Sequence, residues 1–120
     1  MLRKLLSRTP QGASPEIEVT VADTASRAGR LRLVDVREPD EFAAGHPAGA
    51  VNVPLASLPA AIAGLPDGPI AFTCQSGARS LQATQAAHAA GRSDVSTVTG
   101  GYMAWETAGL PTETSAGAAA

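Results

Sequence analysis

Cysteine is nearly absent from this chain: Cys74 is the only one among 120 residues. A single thiol excludes an internal disulfide and a resolving cysteine within the chain, and it suits a reducing compartment. Histidine is scarce too. His46 and His88 stand far apart in sequence, so no metal-ligand cluster is expected. Aromatic residues make up 3 % of the chain, and much of the 44 % hydrophobic content is alanine. The core must therefore rest on the Leu, Ile and Val positions with Phe42, Phe72, Tyr102 and Trp105. Neither sign is in large excess: the net charge is −2, which leaves no electrostatic footprint for nucleic acid. No apolar run is long enough to span a membrane. The basic start (Arg3, Lys4, Arg8) lacks the apolar stretch of a signal peptide, is interrupted by Pro10, and reads as a solvated end. These absences lead to the expectation of a soluble, cytoplasmic protein with no nucleic-acid or membrane partner.

What is present is an alternation. At this length folding buries roughly two-thirds of the unfolded surface, enough for one domain without metal or disulfide. Residues 1–15 read as a flexible lead-in, 16–111 as the domain, and 112–120 as a flexible polar tail. Residues 17–20 form a weak strand, with Thr20 placed to cap a helix ending near Gly29. Residues 31–36 are a clear strand. Pro39 opens a helix with Asp40 and Glu41 in its positively polarised first turn and Gly45 near its end. A brief strand over 50–53 stops at Pro54, and residues 55–63 read as a helix closed by Gly64. A strand over 69–73 leads to Cys74, and a long helix over 79–90 leads away. On that helix Ala83, Ala86, Ala87 and Ala90 form a small-residue face suited to packing on a sheet. A strand over 94–98 and a helix carrying Tyr102, Met103 and Trp105 follow, closed by Gly109 and Pro111. Strand–helix alternation with short connections predicts an α/β fold, a mostly parallel sheet with helices on both faces. Ligands in such folds gather at the carboxyl ends of strands, where Cys74 and Asp35 lie.

The segment Cys74-Gln75-Ser76-Gly77-Ala78-Arg79-Ser80 carries the chemistry. If Gly77 lets the backbone curl, the N–H groups of residues 75–80 converge in front of the sulfur. That is an anion cradle, and it favours a thiolate. Arg79 adds a positive charge and a planar donor fork, and the Ser76 and Ser80 hydroxyls add donors. Such a thiolate attacks sulfur, phosphorus or arsenic centres, or carries a transferred atom. The bland alternative is a small buried hydrophobe; the Gly, Arg and Ser at these spacings argue against it. An exposed thiolate without a resolving cysteine is also expected to oxidise past the sulfenic stage.

Three segments resemble the rhodanese (thiosulfate sulfurtransferase) homology family. They are Leu33 to Phe42 with Gly45 to Pro54, the loop from Cys74 to Ser80, and Gly100-Gly101-Tyr102-Met103-Ala104-Trp105 with Gly109-Leu110-Pro111. His46-Pro47-Ala48-Gly49-Ala50 departs slightly, since many relatives have His-Ile-Pro-Gly-Ala there. The resemblance implies a single rhodanese-like domain with a central sheet of about five strands and no cofactor. It also implies a sulfane sulfur carried on Cys74 as a persulfide. Thiosulfate would serve as donor, and cyanide, a thiol or a protein as acceptor. Relatives acting on phosphate or arsenate have five residues between Cys and Arg. Here there are four, Gln75, Ser76, Gly77 and Ala78, which favours sulfur over an arsenate reductase or phosphatase. A sulfur-relay or regulatory module that docks to a partner protein stays open as the alternative.

Three other residues are candidates for the pocket. Asp35 and Arg37 sit near it, although Arg37 is expected to pair with Glu41 or Asp35 and so hold the strand-to-helix turn. Trp105 is open to two readings, an apolar wall beside the persulfide or ordinary core. Tyr102 and Met103 are candidates for the pocket mouth. His46 is expected in a turn, His88 partly exposed on the helix face of Leu81 and Gln85, and neither as a general base.

Overall fold

The computed structural model describes residues 15–115. Its strands are β1 (Glu16–Ile17), β2 (Arg32–Asp35), β3 (His46–Pro47), β4 (Val51–Asn52), β5 (Ile70–Thr73), β6 (Val95–Val98) and β7 (Thr112–Glu113). Five of them form a parallel central sheet in the order β1-β6-β5-β2-β4, and β3 pairs separately with β7. Parallel strands need crossovers, and the helices supply them. They are α1 (Val19–Arg27), α2 (Pro39–Ala44), α3 (Leu58–Ala61), α4 (Ala78–Ala89) and α5 (Gly101–Thr107). Both faces of the sheet are covered, so its central strands read as continuous apolar runs rather than as alternating ones.

Strand parity divides the core in two. Val34, Ile70, Phe72 and Val95 face Leu58 and Ile62 of the α3 segment and Ala83 and Ala87 of α4. Leu33, Ala71 and Val98 face Ala22 of α1 and Tyr102 and Trp105 of α5. Cys74 belongs to the first cluster. It directly follows β5, which lies in the middle of the sheet, between β6 and β2.

Several sequence expectations need correction. β1 is only two residues long, and α1 starts at Val19 with Glu18 as its cap, so Thr20 lies inside the helix. The expected helix over 55–63 is a short α-turn between two 3₁₀ turns, Leu55–Ser57 and Ile62–Gly64. Pro59 stands in the first turn of the α-turn, where its missing N–H is no loss, so it marks where the α-turn begins. On α4, Ala83 and Ala87 are fully buried, but Ala90 is exposed. His46 lies in β3 rather than in a turn, and it is buried; it stacks on Phe42 and bonds through Nδ1 to the Phe42 carbonyl at 2.6 Å.

The tail expected from residue 112 is ordered at its start, where β7 runs antiparallel to β3. The Pro111 carbonyl accepts from the Ala48 N–H and from the Trp105 Nε1–H, which lays the chain beside β3. Two exposed residues have no apolar alternation by which to announce a strand. The lead-in expected over 1–15 and the remainder of the tail lie, from 1 to 14 and from 116 to 120, outside the described residues.

Candidate active site

Only three residues separate Cys74 from α4. Gly77, the cap of that helix, has φ 120°, a conformation that L side chains rarely adopt. The curl aims two backbone N–H groups at the sulfur: Gly77 N at 3.1 Å and Ser80 N at 3.3 Å from Cys74 Sγ. The thiol in turn donates to Ser80 Oγ at 3.4 Å. The positive end of the α4 dipole faces the same point. Burial pushes the Cys74 thiol up. The Ser80 hydroxyl and the N–H groups of Ser80, Gly77 and Ser76 more than offset it and hold the thiol below its ordinary value.

The sulfur is not exposed, contrary to expectation: Cys74 is 1 % accessible. The cradle that stabilises the thiolate also covers it. Ready over-oxidation requires an open thiolate, and burial withdraws that condition.

Arg79 also departs from expectation. Its terminal nitrogens lie 2.8 and 3.1 Å from the two carboxylate oxygens of Glu41. Glu41 Oε1 further accepts from the Glu38 N–H in a capping box at the start of α2. The Arg79 hydrogen bond, helped by that N–H, pulls the Glu41 carboxyl down to about 2. The guanidinium is therefore not a free charge at the loop mouth. It is one half of a fork-to-fork pair. Glu41 lies 38 residues from Arg79 in sequence, and the pairing of β2 with β5 brings them together.

Asp35 and Arg37 form a buried pair. Arg37 Nε lies 3.1 Å from both Asp35 oxygens, and one terminal nitrogen lies 2.8 Å from Oδ2. Arg37 also donates to the Gly45 carbonyl at 2.6 Å and stacks over the Tyr102 ring at 4.7 Å. The pair braces the turn into α2, as the sequence favoured. It also reaches the loop, since Arg37 Nη1 donates to Gln75 Oε1 at 3.3 Å. Of the other loop residues, Ser76 and Ala78 have exposed side chains.

Trp105 is core. It packs in the cluster on the other face of the sheet from Cys74 and donates through Nε1 to the Pro111 carbonyl at 2.7 Å, so it is not a wall of the sulfur site. Tyr102 is buried under Arg37, and Met103 is half-exposed. Their backbones serve the site instead. The Tyr102 N–H donates to the Cys74 carbonyl at 2.7 Å and the Met103 N–H to the Gln75 carbonyl at 3.1 Å. Gly101 permits this approach, because a Cβ there would collide with the backbone of Cys74 and Gln75.

Sequence reasoning missed Glu41 as a partner of the loop, and it missed Thr97. Thr97 lies on β6, two residues from Val95 and so on the same face as Cys74; its Oγ1 is 2.8 Å from Ser80 Oγ. The available signal was a polar residue at a core-facing parity. Among the described residues, no group of three or more His, Cys, Asp or Glu could hold a metal ion, and no helix is long and apolar enough to cross a membrane.

A thiol at the end of a central parallel strand, cradled by the first turn of the following helix, defines a class of α/β domains that hold a cysteine in an anion-binding loop. The rhodanese-like domain family model matches residues 19–108, and the chain belongs to that family. It is similar to the chloroplastic thiosulfate sulfurtransferase 16 of Arabidopsis thaliana, at 39 % identity over 122 residues, covering 89 % of this chain and 96 % of that protein. It is also similar to the HTH-type transcriptional regulator Rv0324 of Mycobacterium tuberculosis, at 41 % identity over 106 residues. That match covers 83 % of this chain but 46 % of the regulator. Among solved structures, the human single-domain sulfurtransferase TSTD1 superposes with a TM-score of 0.72 at 33 % identity, covering 79 % of this chain and 97 % of that one.

Proposed function

We propose that this protein is a sulfurtransferase that carries a sulfane sulfur on Cys74. The observation that carries the reading is the pair of N–H groups, from Gly77 and Ser80, aimed at Cys74 Sγ inside a loop of four residues between Cys74 and Arg79. In the first half-reaction the Cys74 thiolate attacks the outer sulfur of thiosulfate. The S–S bond of thiosulfate breaks, sulfite departs with the bonding pair, and a Cys74 persulfide remains. In the second, a thiolate or cyanide attacks the outer sulfur, the new S–S bond breaks, and the Cys74 thiolate is restored. The negative charge stays within the amide cradle throughout, where preorganised donors are worth most.

Arg79 contributes less than a free guanidinium would. Its charge is shared with Glu41, so the backbone amides are the first attraction for a sulfur anion. The resemblance to a thiosulfate sulfurtransferase supports thiosulfate as a donor, and a small thiol or a protein thiol as acceptor. No cofactor takes part in this scheme. The four-residue spacing disfavours arsenate or phosphate ester as substrate. A second reading, a regulatory or relay module that docks to a partner, is favoured by the match to part of a transcriptional regulator.

Incubation with thiosulfate is expected to add one sulfur atom to the intact protein by mass spectrometry, and cyanide to remove it. Cys74→Ala should take up none. No added mass in the wild type, or the same addition in Cys74→Ala, overturns the proposal. Loading without turnover on cyanide, glutathione or dithiothreitol would favour the relay reading.

A further inference from the structure

Behind the sulfur lies a short chain of hydroxyls: Cys74 Sγ to Ser80 Oγ at 3.4 Å, and Ser80 Oγ to Thr97 Oγ1 at 2.8 Å. Ser80 is fully buried and Thr97 is 6 % accessible, and groups this buried are normally hydrogen-bonded. Ser80 has one proton and two neighbours able to take it besides Thr97. It donates to the Gly77 carbonyl at 3.1 Å, and it faces the sulfur. Thr97 Oγ1 makes its hydrogen bond to Ser80. If Thr97 were the acceptor, its own proton would have no acceptor among the described residues. Thr97 is therefore the donor, and the Ser80 proton is left free to choose between Gly77 and the sulfur.

Ionisation of Cys74 decides that choice. The thiol proton leaves for solvent, and the sulfur becomes an acceptor with nothing left to donate. Ser80 can then turn its O–H from the Gly77 carbonyl to the thiolate. Gly77 is not orphaned, because its carbonyl also accepts from the Leu81 N–H at 3.0 Å. The Thr97 donation persists in both states and polarises the Ser80 hydroxyl toward the sulfur. The position of Thr97 is fixed by β6, where it pairs in register with Phe72 of β5 and donates its own N–H to the Pro15 carbonyl.

We infer that Thr97 is a positioning residue for the nucleophile: by donating to Ser80 Oγ it holds that hydroxyl beside Cys74 Sγ and polarises its proton toward the thiolate. The inference deepens the sulfurtransferase reading and rests on Cys74 being its nucleophile. The charged groups around the site are Arg79 on α4, Glu41 on α2, the Asp35–Arg37 pair after β2, and Glu16 on β1. All are kept in the variants below.

The test is the rate of Cys74 alkylation by iodoacetamide against pH, in wild type, Thr97→Val and Thr97→Ser. Thr97→Val removes the hydroxyl and keeps the shape. It is expected to move the midpoint upward by roughly 0.2–0.5 pH units, the size of the lost polarisation of the Ser80–thiolate bond. Thr97→Ser keeps the donor and should retain the wild-type midpoint. An unmoved midpoint in Thr97→Val, or an equal shift in both variants, overturns the inference. Should Thr97→Val fail to fold, Thr97→Ala reads the same midpoint. Sulfur loading on the same samples separates the two claims. A shifted midpoint in a protein that takes up no sulfur overturns the function and leaves the role of Thr97 standing. Normal loading with no shift does the reverse.

Discussion

At Cys74 two effects oppose each other, and hydrogen bonding wins: four donors outweigh the cost of burying a thiolate. At Glu41 the balance has a consequence for stability. Its carboxyl sits at about 2 in the folded protein against an ordinary 4.5, chiefly through Arg79. A depressed folded value stabilises the protein at pH above the unfolded value and loses that contribution as pH falls through the folded one. Glu41→Gln is thus expected to be less stable than wild type at pH 7. The pair is a third exposed, so solvent screening limits the difference to at most about 1 kcal/mol. Urea unfolding at several pH values should show the gap close between about 4.5 and about 2. A gap that persists at pH 2 would mean that the ionised pair is not its source.

Among the elements, α5 has a role that its sequence conceals. Its first turn faces the back of the active-site loop and donates to two of the loop's carbonyls, and Gly101 makes room for that contact. Gly101→Ala should therefore do more than strain one residue. Gly109 provides the control: its φ is also positive, but a Cβ there meets nothing. Gly109→Ala incurs only the left-handed penalty, roughly 1–2 kcal/mol. Gly101→Ala should incur that penalty and also displace the loop, with a larger fall in melting temperature and slower sulfur loading. Equal effects of the two substitutions, on both stability and loading, would show that the α5–loop contact does not hold the loop in place. The Gly100-Gly101 pair was legible as a turn. Its second purpose was not, because close approach to a segment 26 positions earlier leaves no local pattern.

Over the whole molecule, the two core clusters divide labour across one sheet. One carries the sulfur site and the other anchors α1 and α5. The β3–β7 ribbon contributes no residue to either, so it should add stability and not chemistry. A chain ending at Pro111, compared with one ending at Ser115, loses the β3–β7 pairing together with the Gly49–Glu113 and Ala43–Ser115 bonds. The expected outcome is a melting temperature lower by roughly 5–10 °C, with sulfur loading unchanged in the folded protein. A loss of loading at temperatures where the shortened chain stays folded would tie the ribbon to the site.

The five central strands and the helices between them could be read in order from the amino-acid sequence, because strand length, turn residues and helix caps are local; the β3–β7 ribbon could not. The sequence by itself also determined the position of the nucleophile, since Cys74, Gly77 and Ser80 sit within one short loop. Asp35 and Arg37, two residues apart, were legible as a pair for the same reason. How much of the cradle is open, which partner Arg79 takes and on which face Trp105 packs emerge in three dimensions. The tertiary structure alone placed Thr97 behind Ser80. Each of these depends on groups far apart in the chain meeting across a parallel sheet, and such meetings are set by register and packing rather than by any spacing in the sequence.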